Sequence, residues 1–295
     1  MSNELAIGIW ERQKDKFKHI WYNFSRNKLS VIGLVIVILV ILLALLAPYV
    51  TPYPEHAAEF VDFGNTMKMP NSSYIFGTDI VGRDIFTRII FAFRYSLLMG
   101  IVVIGLAAPP GVLAGLVAGY YKGTKIDTVI MRITDVFLAI PPLILALAIT
   151  SILKPSMLNA MIAVTLMWWP WYARLIYGIA SSLQNEFFVQ AAEVTGASTF
   201  HILFREILPN CVSSIFTKMT LDMGFVIIMG ASLSFVGLGA QPPTPDLGSM
   251  VADGAKYMPD QWWMTLFPAL AIIIVVLGFN LMGDGLRDVL AIEEV

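Results

Sequence analysis

Charge is scarce in this sequence. Asp, Glu, Lys and Arg make up 14% of its 295 residues, where a soluble globular chain carries roughly 25%. The net charge is −2. No basic stripe with interleaved aromatics appears, which argues against a nucleic-acid partner. The single cysteine, Cys211, rules out an internal disulfide framework. His19, His56 and His201 are scattered and no cysteine pair accompanies them. No zinc site therefore has ligands at recognisable spacing, and neither metal nor cofactor is expected. The phosphate-loop pattern G-x-x-x-x-G-K-[ST] is missing, and no lysine follows a glycine, so the chain should not bind or hydrolyse ATP alone. Neither a Ser/His/Asp set nor paired aspartates within the apolar runs are apparent. It is not expected to be an enzyme.

What the chain has is apolar length. Hydrophobic residues make up 57% and the mean hydropathy is +0.75, which points to a polytopic membrane protein. A polar tail, residues 1–28, carries Arg12, Lys14, Lys16, Lys18, Arg26 and Lys28. An uninterrupted apolar run, 29–50, follows, long enough for the roughly 20 residues that a span requires. A cleaved signal peptide would have a shorter apolar region and a shorter basic one. The basic tail places the N-terminus in the cytoplasm.

A polar excursion, residues 51–94, comes next on the outer face. Its early part is proline-rich and should be irregular. Its later part sets Asp79 four residues before Arg83 and Asp84 four before Arg88, the spacing of pairs on one face of an amphipathic helix. The remainder, 95–285, reads as five further spans, near 95–121, 129–152, 160–179, 216–238 and 264–282. A short cytoplasmic tail, 286–295, ends the chain. Gly111, Gly115 and Gly119 recur every four residues in the second span, a spacing that lets a neighbouring helix approach closely. Pro141 and Pro142 interrupt the third and should kink it.

One polar stretch, 190–209, lies between the fourth and fifth spans. It reads as a short helix with a turn: Ala191 and Ala192 are small, Gly196 breaks the helix, and Pro209 opens the next span. An ordinary cytoplasmic loop accounts for the spacing equally well. The residues Gln190, Ala191, Ala192, Glu193, Gly196, Ala197, Ile207, Leu208 and Pro209 also resemble the coupling loop of ABC importer permeases. Gln190 stands where that motif opens with Glu. Gly77-Thr78-Asp79, Gly82-Arg83-Asp84 and the run from Leu233 to Gly239, followed by Gln241-Pro242-Pro243-Thr244-Pro245, are similar to segments of one subfamily. That subfamily comprises the C-type permeases of oligopeptide, dipeptide and nickel importers. The ending after Asp288 lacks the Asp-Pro-Arg of relatives.

The resemblance implies an all-α inner-membrane permease of six transmembrane helices, with a cytoplasmic coupling helix, within 185–209, between spans four and five. Its implied partners are a second homologous permease, two ATP-binding ATPase subunits, an extracytoplasmic substrate-binding protein and membrane lipid. ATP hydrolysis would fall to the separate ATPases. The implied cargo is an oligopeptide or dipeptide, with oligosaccharide or nickel as alternatives. Relatives often carry a Glu where this chain has Gly230, a difference that leans toward neutral cargo.

Ionisable and aromatic residues within spans supply candidate pathway or gating positions: Asp135, Trp168, Trp171, Asp222 and Ser234. Lys218, four residues before Asp222, reads as a local structural pair, and Arg174 as a residue snorkelling toward the cytoplasm. Trp262 and Trp263 start a span, so an interface belt is the reading preferred over a sugar pathway. A self-contained secondary transporter is the rival reading. It would need acids near mid-membrane, and Asp135 and Asp222 come closest. A purely structural assembly subunit is the third.

Overall fold

The computed structural model describes residue 18 and residues 21–292, with side chains through Val289. Most of the basic tail, His19 and the last three residues lie outside the described residues. Helices dominate, and the described residues contain no strand beyond an isolated bridge between Thr78 and Asp84.

Helix α1, Lys28–Leu45, starts where the Asn27 side chain accepts the Leu29 N–H. Its large residues, among them Leu29, Ile32, Leu39 and Leu45, are exposed. Ser30, Gly33 and Ala44 are buried. Large side chains outward and small ones inward is the pattern of a helix with lipid on one side and a close neighbour on the other.

Helix α2, Ile85–Tyr120, is one rod of 36 residues. Asp84 starts it by accepting the Thr87 N–H at 2.8 Å, and Pro109 and Pro110 leave it continuous. The expected amphipathic helix before the second span is therefore not a separate element. Its residues form the first turns of α2, because nothing between 85 and 95 breaks the backbone. Of the two expected charge pairs, Asp79–Arg83 forms and Asp84–Arg88 does not. Asp79 meets Arg83 at 2.7 Å across a turn, where it also accepts the backbone N–H groups of Val81 and Arg83. Asp84 is occupied as the cap, and Arg88 turns instead to Asp79 and to the carbonyls of His56 and Pro243.

The expected third span is sharply broken. Helices α3, Lys125–Leu138, and α4, Pro142–Ile152, meet at 85°, far beyond a kink. Pro141 and Pro142 supply no N–H to bridge the break. Helix α5, Met157–Leu183, then packs along α2. A Cβ at Gly111 would sit 2.3 Å from the Trp169 carbonyl, at Gly115 2.5 Å from that of Ala173, and at Gly119 2.6 Å from the Ala180 Cβ. The four-residue glycine spacing thus marks a close helix contact, as expected. Both numberings rise together, so α2 and α5 run parallel.

Helix α6, Phe187–Val194, is followed by a short helix, Thr199–His201, a π turn, Ile202–Ile207, and α7, Leu208–Phe235. Helices α8, Leu247–Ala255, and α9, Trp263–Ile292, complete the chain. Gly224 lies against Asn280 and Gly283 against Leu221, so α7 and α9 are antiparallel. Gly278 lies against Ile36 and Gly285 against Ser30, so α9 and α1 are too. By connectivity, the start of α1 and the ends of α2 and α9 gather at one end of the bundle, where Asn27 reaches Asp288 at 3.4 Å.

Four helical rods, α1, α2, Thr199–Phe235 and α9, are long and apolar enough to cross a membrane, or five spans if the bent pair counts as one. Helix α5 has 27 residues but carries Trp, Pro, Tyr and Arg over 168–174. One face of it is interior, with Tyr172, Ala173, Ile176 and Ala180 fully buried, while Trp171 on another face is exposed. Two cores form along α2. One joins it to α4, α5, α7 and the segment after α5, and the other to α1, α8, α9 and the outer loops. Trp263 is buried in the second, its indole N–H 3.4 Å from the Thr78 carbonyl, so it is a packing residue; Trp262 stays half-exposed.

Candidate functional site

The segment after α5 is built by successive caps. Helix α6 ends in a Schellman motif: Ala197 N–H donates to the Ala192 carbonyl at 3.0 Å and Gly196 N–H to that of Glu193 at 2.9 Å. Between them Gly196 has φ +82°, the left-handed conformation that favours glycine at this position. Ser198 then caps the next helix, its Oγ accepting the His201 N–H. The chain enters α7 through the π turn. Pro209, in the first turn of α7, has no N–H and its ring would press on the carbonyl four residues back; the wider turn before it relieves that conflict.

Buried side chains fasten this segment to the bundle. Val189 and Ile207 are fully buried, and Ala192, Ala197 and Leu208 pack against the same core. Gln190, Ala191, Glu193 and Gly196 are exposed, and Gln190 donates to the Asn185 carbonyl. Tyr120, the last residue of α2, donates from its hydroxyl to Glu193 Oε1 at 2.8 Å. His201 pairs with Glu206 at 3.3 Å on the surface. Opposite the fastened face, Phe187 is 87% exposed, Val194 89% and Phe200 71%. A rigid polar turn thus presents three large apolar side chains at the bundle end where α2 finishes. Phe187 and Phe200 fall outside the resemblance; an aromatic on each side of the alanine–glycine motif was the available signal.

The span candidates divide. Trp168 and Ser234 are buried, Ser234 in a small cavity beside Gly239 and Asp246. Asp246 caps α8 by accepting the Ser249 N–H at 2.9 Å, and burial pushes its carboxyl up from the usual range. Asp222 is fully buried and pairs with Lys218 at 2.5 Å. Trp171 is 41% exposed, and the Lys218 ammonium lies 5.9 Å from its ring centre. Asp135 pairs with Arg174, joining α3 to α5. Arg174, expected to snorkel, is thus also a cross-helix partner, its charge met by a neighbouring carboxylate.

The loops before α2 and after α7 close on a clasp that joins Asp84 and Pro243 of the quoted motifs to His56 and Arg88, which those motifs leave out. His56, buried, accepts the Asp84 backbone N–H at Nδ1, 2.8 Å away, and stacks on Phe60 with ring centres 4.0 Å apart. Burial lowers the His56 pKa and raises that of Asp84. Arg88 joins this clasp to the loop holding Pro243. No group of three or more His, Cys, Asp or Glu among the described residues is placed to hold a metal ion.

Comparison with known proteins agrees with this architecture. Residues 111–291 match the family described as binding-protein-dependent transport system inner membrane component. Residues 16–70 match the N-terminal TM domain of oligopeptide transport permease C. The chain is 37% identical over 284 residues to the dipeptide transport system permease protein of Haemophilus influenzae, covering 94% of this chain and 95% of that one. It is 39% identical to the probable D,D-dipeptide transport system permease of Escherichia coli K12, over 98% and 97% of the two chains. To the glutathione transport system permease of Escherichia coli O6 it is 41% identical, over 98% and 94%. Among solved structures, the MetNI methionine ABC transporter in inward-facing conformations superposes with a TM-score of 0.55 at 19% identity, over 69% of this chain and 97% of that one.

Proposed function

The chain belongs to the family of binding-protein-dependent transport inner-membrane components, and we propose that it is one half of a two-permease pore driven by two separate ATPases. It is a permease subunit of an ABC importer. Cargo is taken here as a dipeptide or short oligopeptide, handed over by an extracytoplasmic binding protein. Relatives named for dipeptide and glutathione transport support that choice.

Six crossings are inferred. Because α2 and α5 run parallel, the bent pair α3–α4 must return the chain between them, and α5 adds the crossing that its composition disguises. The coupling segment, 185–209, the N-terminal tail, 1–28, and the C-terminal tail, 286–295, are assigned to the cytoplasm. The contact of Tyr120 with Glu193 supports that side, since α1 begins where α2 ends and basic residues cluster before α1. Residues 51–84 and 236–262 then lie outside.

The observation that carries the reading is the capped, anchored segment bearing exposed Phe187, Val194 and Phe200. Apolar side chains this exposed on a rigid support mark a docking surface. Docked on the ATPases, the segment would follow their closure on ATP and tilt the bundle from inward- to outward-facing. Such a shift requires that the docked partner favour one state over the other. Of the span candidates, Trp171 is exposed and Asp135 half-exposed, and both are proposed for the pathway; Trp168, Asp222 and Ser234 are buried.

Reconstitution of the complex in lipid, with its binding protein presented alongside peptides, oligosaccharides or nickel chelates, tests this. Stimulation of ATP hydrolysis by peptides is expected. Stimulation by oligosaccharides or nickel chelates alone would overturn the cargo, and failure of any ATPase to join would overturn the function.

A further inference from the structure

Two ion pairs lie on three of the span helices: Asp135 on α3 with Arg174 on α5, and Lys218 with Asp222 on α7. Their exposures differ in an ordered way. Arg174 and Asp135 are about equally open, 46% and 43%, and neutralise one another at the surface. The α7 pair is lopsided: Lys218 is 28% exposed and Asp222 1%. Its anion is hidden and its cation is presented. The ammonium is flanked by the rings of Trp171 and Tyr172, centres 5.9 and 6.0 Å away. Behind it, the buried Tyr172 hydroxyl and buried Asp222 lie against one another.

Lys218 is ten residues from the start of α7 at Leu208 and seventeen from its end at Phe235, hence about 15 Å and about 25 Å along the axis. If the 28-residue helix is centred in a hydrocarbon layer of about 30 Å, Lys218 falls about 9 Å inside the nearer boundary. The partly exposed Lys218 ammonium excludes a lipid-facing surface there, since ionisable residues in spans turn to water or protein. The face shared by Trp171, Arg174 and Lys218 is then the water-filled side of the half-pore. Resting on the peptide-importer reading above, we propose that Lys218 is a specificity-determining contact of the pathway, binding the C-terminal carboxylate of the peptide cargo, with Asp222 as its positioning residue. An ammonium offers three donors to a carboxylate and has used one on Asp222. The Trp171 ring supplies the flat apolar wall that a short peptide needs on its other side.

Charge-selective labelling in the nucleotide-free complex in lipid nanodiscs tests the assignment. Cys211 is replaced by Ala, and Ser214, one helical turn before Lys218, by Cys. Sulfonatoethyl and trimethylammonioethyl methanethiosulfonates, similar in size and opposite in charge, are compared. With Lys218 in place the anionic reagent is expected to react about tenfold faster, the effect of one unit charge a helical turn away in a partly wet site. Lys218→Met should erase that preference, and Lys218→Arg should keep it. Alanyl-alanine should slow the anionic reagent and its C-terminal amide should not. If Lys218→Met assembles poorly, Lys218→Met with Asp222→Asn removes the buried lone charge and should lose the preference equally. No reaction with either reagent, equal rates with Lys218 present, or equal protection by both dipeptide forms would overturn the proposal. Uptake of alanyl-alanine by the unsubstituted complex is measured in parallel. Its absence would condemn the peptide-importer reading, whereas normal uptake with indifferent labelling would condemn Lys218 alone.

Discussion

The hydroxyl of Tyr120 donates to Glu193 Oε1 at 2.8 Å, tying the last residue of a 36-residue helix to the short helix that carries the docking surface. On the proposed docking role, motion of that segment would pass directly to α2. A hydrogen bond to a charged acceptor contributes up to ~1.5–3 kcal/mol, less where water competes. Tyr120→Phe should therefore leave the complex assembled but lower peptide taken up per ATP hydrolysed a few-fold, within the tenfold that ~1.4 kcal/mol represents. Parallel uptake and phosphate-release assays check this, and an unchanged ratio would remove Tyr120 from the coupling route.

Phe187→Ser with Phe200→Ser removes the most exposed aromatics of the segment without touching buried Val189 or Ile207. Aromatic anchors at interfaces cost about 2 kcal/mol or more when truncated. ATPase co-purification should fall by more than about tenfold, while the melting temperature of the separated permease pair stays unchanged. Loss of permease stability instead would make these residues part of the fold.

Gly115 is a packing position, with Ala173 carbonyl 2.5 Å from any added Cβ. Gly105, on the same helix, has nothing within 4 Å. Gly115→Leu should destabilise by ~1–3 kcal/mol or prevent assembly, as overpacked cores do, and Gly105→Leu should not. Thermal unfolding in detergent separates the two.

The outer clasp should loosen in acid. His56 accepts a hydrogen bond at Nδ1, which requires neutral imidazole there, and burial holds its pKa below the ordinary histidine range. A histidine with a depressed folded-state pKa contributes stability that is full above its unfolded value and declines as pH falls below it. Hydrogen exchange at the Asp84 amide should accelerate as pH drops from about 7.5 toward 5.5, relative to the intrinsic rate; in His56→Gln that extra acceleration should vanish. A pH-independent protection factor in the unsubstituted chain would contradict the clasp.

Much of the helical layout was legible because it rests on local signals. The glycine ladder at 111, 115 and 119 needs no knowledge of its partner to announce a close contact, and Gly196 announces a turn. Long-range geometry was not legible. Pro141 and Pro142 declare a break, but the 85° angle is decided by what α3 and α4 pack against. Asp84 and Arg88 carry the spacing of a helical pair, yet capping and the His56 clasp claim them first. Arg174 meets Asp135 across 39 residues of chain, and Tyr120 meets Glu193 across 73. Such pairings depend on helix rotation, which periodicity alone leaves open. The presentation of Lys218 over Asp222 was hidden for the same reason: spacing pairs them but does not say which faces out.

ATP hydrolysis and dipeptide uptake measured together in proteoliposomes, for the unsubstituted complex and for Gly196→Val, bear most directly on the claim that this chain couples the two. Valine at φ +82° is strained by ~1–2 kcal/mol although no atom lies within 4 Å of the new Cβ, so the turn distorts without a clash. Gly196→Asn, which tolerates that conformation, is the control. Uptake that needs ATP and the binding protein, that Gly196→Val uncouples from hydrolysis and that Gly196→Asn retains, is the expected result. Uptake that persists without ATP and collapses with a proton uncoupler, or is indifferent to Gly196→Val, would contradict it.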